Sequence, residues 1–130
     1  MKPKSAKAKG SRLEREIARD LREKGLDKNA SRMPLSGAIE NFKSDINTSL
    51  PLHIECKCQE TWKPLEYMKQ AEAGAKKHEI PLVIMSRNRM VDPLVLIGWQ
   101  HFLNILGDAL KGGGLKPEYG YSKNKQLKKG

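Results

Sequence analysis

The sequence predicts an α/β fold, a mixed central β-sheet flanked by helices. Three observations carry this: an amphipathic helix opens the body of the chain, a strictly alternating strand follows it, and two continuous apolar runs of strand length come later, separated from that strand by a second helical pattern. Apolar runs without alternation suit strands buried on both faces, as in a helix-covered sheet.

The first helix is signalled by Ser11 and Glu14, spaced as an S-x-x-E capping box, and by the apolar stripe Leu13, Ile17, Ala18 and Leu21. Gly25 fits a left-handed stop. A short strand is expected through Ala30–Met33, then a loop over 35–44. Asp45 begins another short strand, expected to form a hairpin with Leu52–Gln59 through Ser49-Leu-Pro51. In that longer strand Leu52, Ile54, Cys56 and Cys58 share one face, and His53, Glu55, Lys57 and Gln59 share the other. A second helix is expected from Pro64 to Lys77, with Leu65, Met68, Ala71 and Ala75 inward. Strands at Ile80–Met85 and Leu94–Ile97 and a helix near Trp99–Leu110 complete the body.

The 130 residues amount to one small domain, with 38% apolar and 31% charged side chains. No apolar run approaches the roughly 20 residues that span a bilayer, which excludes an integral helical membrane protein. The cationic start lacks the apolar core of a secretory signal. Cys56 and Cys58 are too close in sequence to staple a loop, so a disulfide scaffold is excluded and a reducing, cytoplasmic compartment is expected. As C-x-C without a second pair they also make no zinc site, and they are expected in the core.

The net charge of +10 is unevenly placed. Residues 1–10 carry four lysines and no acid, and residues 111–130 carry six lysines against Glu118. The intervening hundred residues are nearly neutral. Two flexible basic tails on a neutral body suit a polyanion, nucleic acid first.

The chemistry concentrates in Asp45, Glu55 and Lys57, spaced D-x9-E-x-K. Glu55 and Lys57 share a strand face, so a carboxylate and an ammonium can converge on one phosphate. Asp45, brought in by the neighbouring strand, adds a second carboxylate. Two carboxylates with water can hold Mg²⁺, which prefers hard oxygen ligands, and bound Mg²⁺ lowers the pKa of its water and neutralises phosphate charge.

These residues stand in a longer order: Lys-Gly-Ser-Arg-Leu-Glu-Arg-Glu (Lys9 to Glu16), Arg32-Met-Pro-Leu-Ser-Gly37, Ser44-Asp-Ile46 and Ile54-Glu-Cys-Lys57. The combination, over about residues 9–100, resembles the archaeal-type Holliday junction resolvases of the PD-(D/E)xK nuclease superfamily. The resemblance implies a restriction-endonuclease-like core in residues 11–110, resolving four-way DNA junctions by metal-dependent phosphodiester hydrolysis. It implies Mg²⁺ as cofactor, with Mn²⁺ substituting, branched DNA as partner, and a homodimer to make two symmetric cuts.

Carried over residue by residue, the pattern implies catalytic roles for Glu14, Asp45, Glu55 and Lys57, with Ser36 as the loop serine. It implies metal ligation by Asp45, Glu55, the Cys56 main-chain carbonyl and Glu14. It matches Arg15 and Arg32 to the family's basic residues; Lys9, and Gln59 next to Lys57 on the same strand face, are further candidates for DNA contact. Ser44 departs from the pattern, standing where the family usually has proline. Glu14 has two incompatible expectations, since a carboxylate folded back onto the Ser11 amide cannot reach a metal; the resemblance favours the metal. His53 is expected at the surface, and Trp62 either stacks on DNA or covers the sheet edge. The rival readings are another nuclease of the superfamily (flap, nicking or restriction-like) and a basic DNA-binding module without turnover.

Overall fold

The computed structural model describes residues 6–33 and 44–121. The chain falls into two compact units, residues 1–97 and 98–130.

Helix α1 spans Ala6–Glu23 and buries Leu13 and Ala18. It starts five residues before Ser11, inside the segment expected to be tail, so Ser11 is an interior helix residue and not a cap. Gly25 ends the helix as expected: it adopts φ 71°, the left-handed conformation that costs an L side chain about 1–2 kcal/mol. Its N–H donates to the Arg22 carbonyl at 3.1 Å, and the Leu26 N–H donates to the Leu21 carbonyl at 3.0 Å.

Two short strands follow, β1 (Ser31–Arg32) and β2 (Ile46–Asn47), and they pair antiparallel, Arg32 opposite Ile46. The expected hairpin of β2 with the longer strand is therefore replaced by a β1–β2 ladder. The main sheet has three strands in the order β3 (Leu52–Cys58), β4 (Ile80–Ser86), β5 (Leu94–Ile97). β3 and β4 run parallel, Leu52 opposite Ile80 through Cys58 opposite Ser86, while β5 returns antiparallel to β4. A parallel pair needs a crossover, and helix α2 (Pro64–Gly74) supplies it. The sheet is mixed, as expected.

Helices cover both faces of this sheet. Leu13, Ile17 and Leu21 of α1 pack on Ile54, Cys56, Leu82 and Ile84. Tyr67 and Ala71 of α2 pack on Val83 and Met85, with Trp62, Met68 and Leu96 alongside. Each fully buried aliphatic side chain contributes about 1.5–3 kcal/mol of transfer free energy. β4 is buried along nearly its whole length, as its apolar run predicts. β5 is not: Leu94 and Val95 are 49% and 58% exposed, and only Leu96 and Ile97 pack against the two core clusters.

The buried face of α2 is also rotated from the expected one. Tyr67, Ala71 and Gly74 are buried, and Leu65 is exposed. In the second unit, helix α3 (Trp99–Lys111) has no buried residue, and Trp99 stacks on Phe102 with ring centroids 6.0 Å apart. Among the described residues no helix is long and apolar enough to cross a membrane.

Candidate active site

β3 presents its outer edge to the segment that leads into β2. The Asp45 N–H donates to the Ile54 carbonyl at 2.8 Å. Ser44 closes the same junction: its hydroxyl donates to the Ile54 carbonyl at 3.1 Å and accepts from the Ile54 N–H at 2.9 Å and the Ile46 N–H at 3.2 Å. A proline could make none of these side-chain bonds, so the serine is a working part of this junction.

The same junction fixes Asp45. Its Oδ2 accepts from the Cys56 N–H at 2.8 Å, placing the carboxylate beside the backbone that carries Glu55 and Lys57. In an extended strand the N–H and C=O of one residue point to the same edge. The Cys56 carbonyl therefore faces the Asp45 side, where it could serve as an oxygen ligand.

Glu14 reaches this edge from α1. Its Oε1 lies 3.3 Å from the Arg32 Nε, and a second Arg32 nitrogen donates to the Ser11 hydroxyl at 3.2 Å. The capping alternative is thus removed, since Ser11 lies inside the helix and binds Arg32. Arg32 itself is committed to Glu14 and partly buried.

The carboxylates sense one another. Burial pushes the Asp45 carboxyl up to about 6; the Glu55 charge adds to this, the Cys56 N–H offsets it, and Glu14 raises it further. Burial also raises Glu14, against the lowering effect of Arg32. Asp45, Glu55 and Glu14 therefore form one group of interacting carboxylates, with Arg32 paired to Glu14. Lys57 is close enough to act on Asp45 in the opposite sense.

Three hard oxygen donors, Asp45, Glu55 and the Cys56 carbonyl, suit Mg²⁺, which is commonly held by one or two carboxylates plus water and substrate phosphate. Among the described residues no group of three or more His, Cys, Asp or Glu side chains stands in ligating arrangement. Glu14 belongs to the cluster electrostatically, but its carboxylate is engaged by Arg32.

His53 corrects the expectation of a surface histidine. It is 1% exposed, and its Nε2–H donates to Glu55 Oε2 at 2.9 Å. A polar residue enclosed in this way must find a partner inside. Cys56 lies in the core as expected, its thiol pKa pushed up by burial. Trp62 covers the sheet: its indole N–H donates to the Ser86 carbonyl at 3.0 Å, and the Arg87 guanidinium lies 5.0 Å from its ring.

The residues expected on DNA are dispersed. Arg15 is exposed on α1. Lys9 lines a separate hollow of about 110 Å³ with Arg12, Cys58 and Arg89, on the β3 face opposite Glu55. Gln59 is exposed just past β3 and accepts a bond from the Tyr67 hydroxyl. Ser36 lies outside the described residues.

Tyr67 is the residue that sequence reasoning missed. Its ring lies under Lys57, with Nζ 5.4 Å from the centroid. A signal was present: Tyr67, Ala71 and Gly74 recur at i, i+4 and i+7, one large residue above two small ones, which marks a face approaching a sheet closely.

No curated protein and no solved structure matches the chain. A family model described as "phage putative PDDEXK endonuclease" matches residues 5–113, nearly the whole body, including α1, both sheets and every described residue of the cluster. The match supports the PD-(D/E)xK superfamily and does not single out the archaeal junction resolvases. With the D-x9-E-x-K residues converging at the edge of a helix-covered mixed sheet, the chain belongs to this phage PDDEXK endonuclease family.

Proposed function

We propose that the protein is a Mg²⁺-dependent endodeoxyribonuclease with branched DNA, four-way junctions foremost, as its substrate. The observation that carries the metal-dependent reading is the acidic cluster at the β3 edge. The Glu55 charge raises the proton affinity of both Asp45 and Glu14, and a divalent cation relieves that repulsion. The junction preference rests on the ordered sequence pattern from Lys9 to Lys57.

Asp45, Glu55 and the Cys56 carbonyl would hold the cation. When bound, Mg²⁺ supplies Lewis acidity toward the scissile phosphate and a more acidic water. Asp45 keeps its carboxylate aimed through the Cys56 N–H, and Glu55 keeps its own through His53. Lys57, on the same strand face as Glu55, orients the attacking water and stabilises charge developing on the phosphate. Water attacks the phosphorus in line with the 3′-oxygen, the P–O3′ bond breaks and the 3′-oxygen takes up a proton, which leaves 5′-phosphate and 3′-hydroxyl ends.

Two symmetric cuts call for a second copy of the chain. The exposed apolar side chains of α3, among them Trp99, Phe102 and Leu103, offer a surface for one.

The test is a panel of labelled four-way, flap, splayed and linear duplexes, each with Mg²⁺ and with chelator. Metal-dependent cutting of the junction in preference to the others supports the proposal. Preferred cutting of flap or linear DNA reassigns the substrate within the superfamily, and binding without cleavage in Mg²⁺ or Mn²⁺ overturns it.

A further inference from the structure

We propose that Tyr67 is a positioning residue for the reaction: its ring holds the Lys57 ammonium on the site face of β3, and its hydroxyl holds Gln59 beside it. The inference rests on Lys57 acting at the scissile phosphate, as proposed above.

Tyr67 sits on α2 and is 5% exposed, so its ring is fixed by packing against Val83, Met85 and Ala71. The Lys57 Nζ lies 5.4 Å from the ring centroid, within the range where a cation is drawn to the negative face of an aromatic ring. Among the described residues no carboxylate forms a direct ion pair with Lys57. A lysine has four rotatable side-chain bonds and a strongly hydrated head. Beside an acidic cluster, an unrestrained ammonium would fold onto the nearest carboxylate and leave the phosphate position. The aromatic face offers attraction without a competing full charge, so Lys57 stays oriented and available.

The hydroxyl does a second task. It donates to Gln59 Oε1 at 2.5 Å and lies 3.4 Å from the Thr61 carbonyl. With its oxygen engaged, the Gln59 amide is left with its N–H donors to face a phosphate or a water. One buried side chain thereby sets the direction of Lys57 on β3 and of Gln59 just past its end.

The experiment separates the ring from the hydroxyl. Tyr67→Phe keeps the ring and loses the bond to Gln59. Site-specific replacement of residue 67 by phenylalanines carrying one, two and three fluorines then weakens the ring's negative face at nearly constant shape. Single-turnover cleavage in saturating Mg²⁺, DNA affinity and thermal midpoint are measured for each, with Lys57→Ala alongside. The expected result is a rate for Tyr67→Phe within about 3-fold of the native protein. Successive fluorination should lower it further, to about 10-fold overall, with affinity and midpoint unchanged. A rate that stays flat across the fluorinated series while Lys57→Ala is inactive overturns the inference and leaves the proposed function standing. If Lys57→Ala cleaves like the native protein, the proposed role of Lys57 fails, and that of Tyr67 with it.

Discussion

His53 Nε2 lies 2.9 Å from Glu55 Oε2, two residues along one strand and on the same face. The histidine is fully enclosed, so this bond does not exchange freely with water and fixes the rotamer of Glu55. A carboxylate meant to hold a metal gains from such a partner, because orientation is settled before the ion arrives.

His53→Gln is expected to lower Mg²⁺ affinity or activity by about 10–100-fold, the usual cost of losing an orienting partner behind a metal ligand. Calorimetric titration of Mn²⁺ into the native and variant proteins checks this. Equal affinities would show that the bond serves packing alone.

Asp45→Asn, Glu55→Gln and Lys57→Ala should each reduce cleavage by at least about 100-fold while leaving junction affinity within a few-fold. The separation follows from where affinity arises: phosphate contacts spread over a basic surface, not the three groups at the β3 edge. Substantial turnover by any one of the three variants removes that residue from the site.

The metal-free protein should lose stability as pH rises from about 4 to about 7. Asp45 has its carboxyl raised to about 6 in the folded chain, above the ordinary 3.8, so the folded state binds more protons than the unfolded state in that window. Stability falls with pH wherever the folded state is the more protonated one, here by on the order of 2 kcal/mol. Denaturant unfolding in chelator at pH 4.5 and 7.5 measures the effect, and Asp45→Asn should flatten it. Mg²⁺ should restore stability chiefly at the higher pH, since it binds the ionised carboxylates.

Ser44→Ala should destabilise the fold by about 1–3 kcal/mol. The hydroxyl makes three bonds to the backbone of β2 and β3, and its removal takes away the acceptor of the Ile54 N–H. Because these bonds set Asp45, cleavage by the folded protein should fall as well. A normal melting temperature with full activity would contradict this role.

Removing residues 1–5 and 122–130 takes away six lysines and no acid. If these act by releasing counterions from phosphates, binding to every DNA should weaken, and the log–log salt slope should flatten by roughly 0.9 for every phosphate no longer neutralised. Cleavage at saturating enzyme should persist, since the cut stops short of α1 at Ala6. Unchanged affinity and slope would leave recognition to Arg15, Arg19, Arg22 and other body residues.

The fold class, a mixed sheet between helices, and the D-x9-E-x-K residues were legible in the sequence, whereas the parallel pairing of β3 with β4 across α2 was not. Alternation and continuous apolar runs are local records of which face each strand buries, and a chain reads them out residue by residue. The placement of Ile54 and Cys56 on one face of β3 and Glu55 and Lys57 on the other needed nothing more. Partners distant in sequence follow from how the elements pack. Ser11 and Glu14 have the spacing of a cap, yet the chain before Ser11 continues the helix and Arg32 claims both side chains. β2 pairs with β1 rather than with its sequence neighbour, because Arg32 and Ile46 come together across a segment whose path no local pattern records. His53 is buried and bonded to Glu55, and α2 is turned to bury Tyr67 rather than Leu65. Short-range rules fix conformation and facing; which charged or polar group meets which depends on packing between elements, and that packing placed Arg32, His53 and Tyr67 around the site.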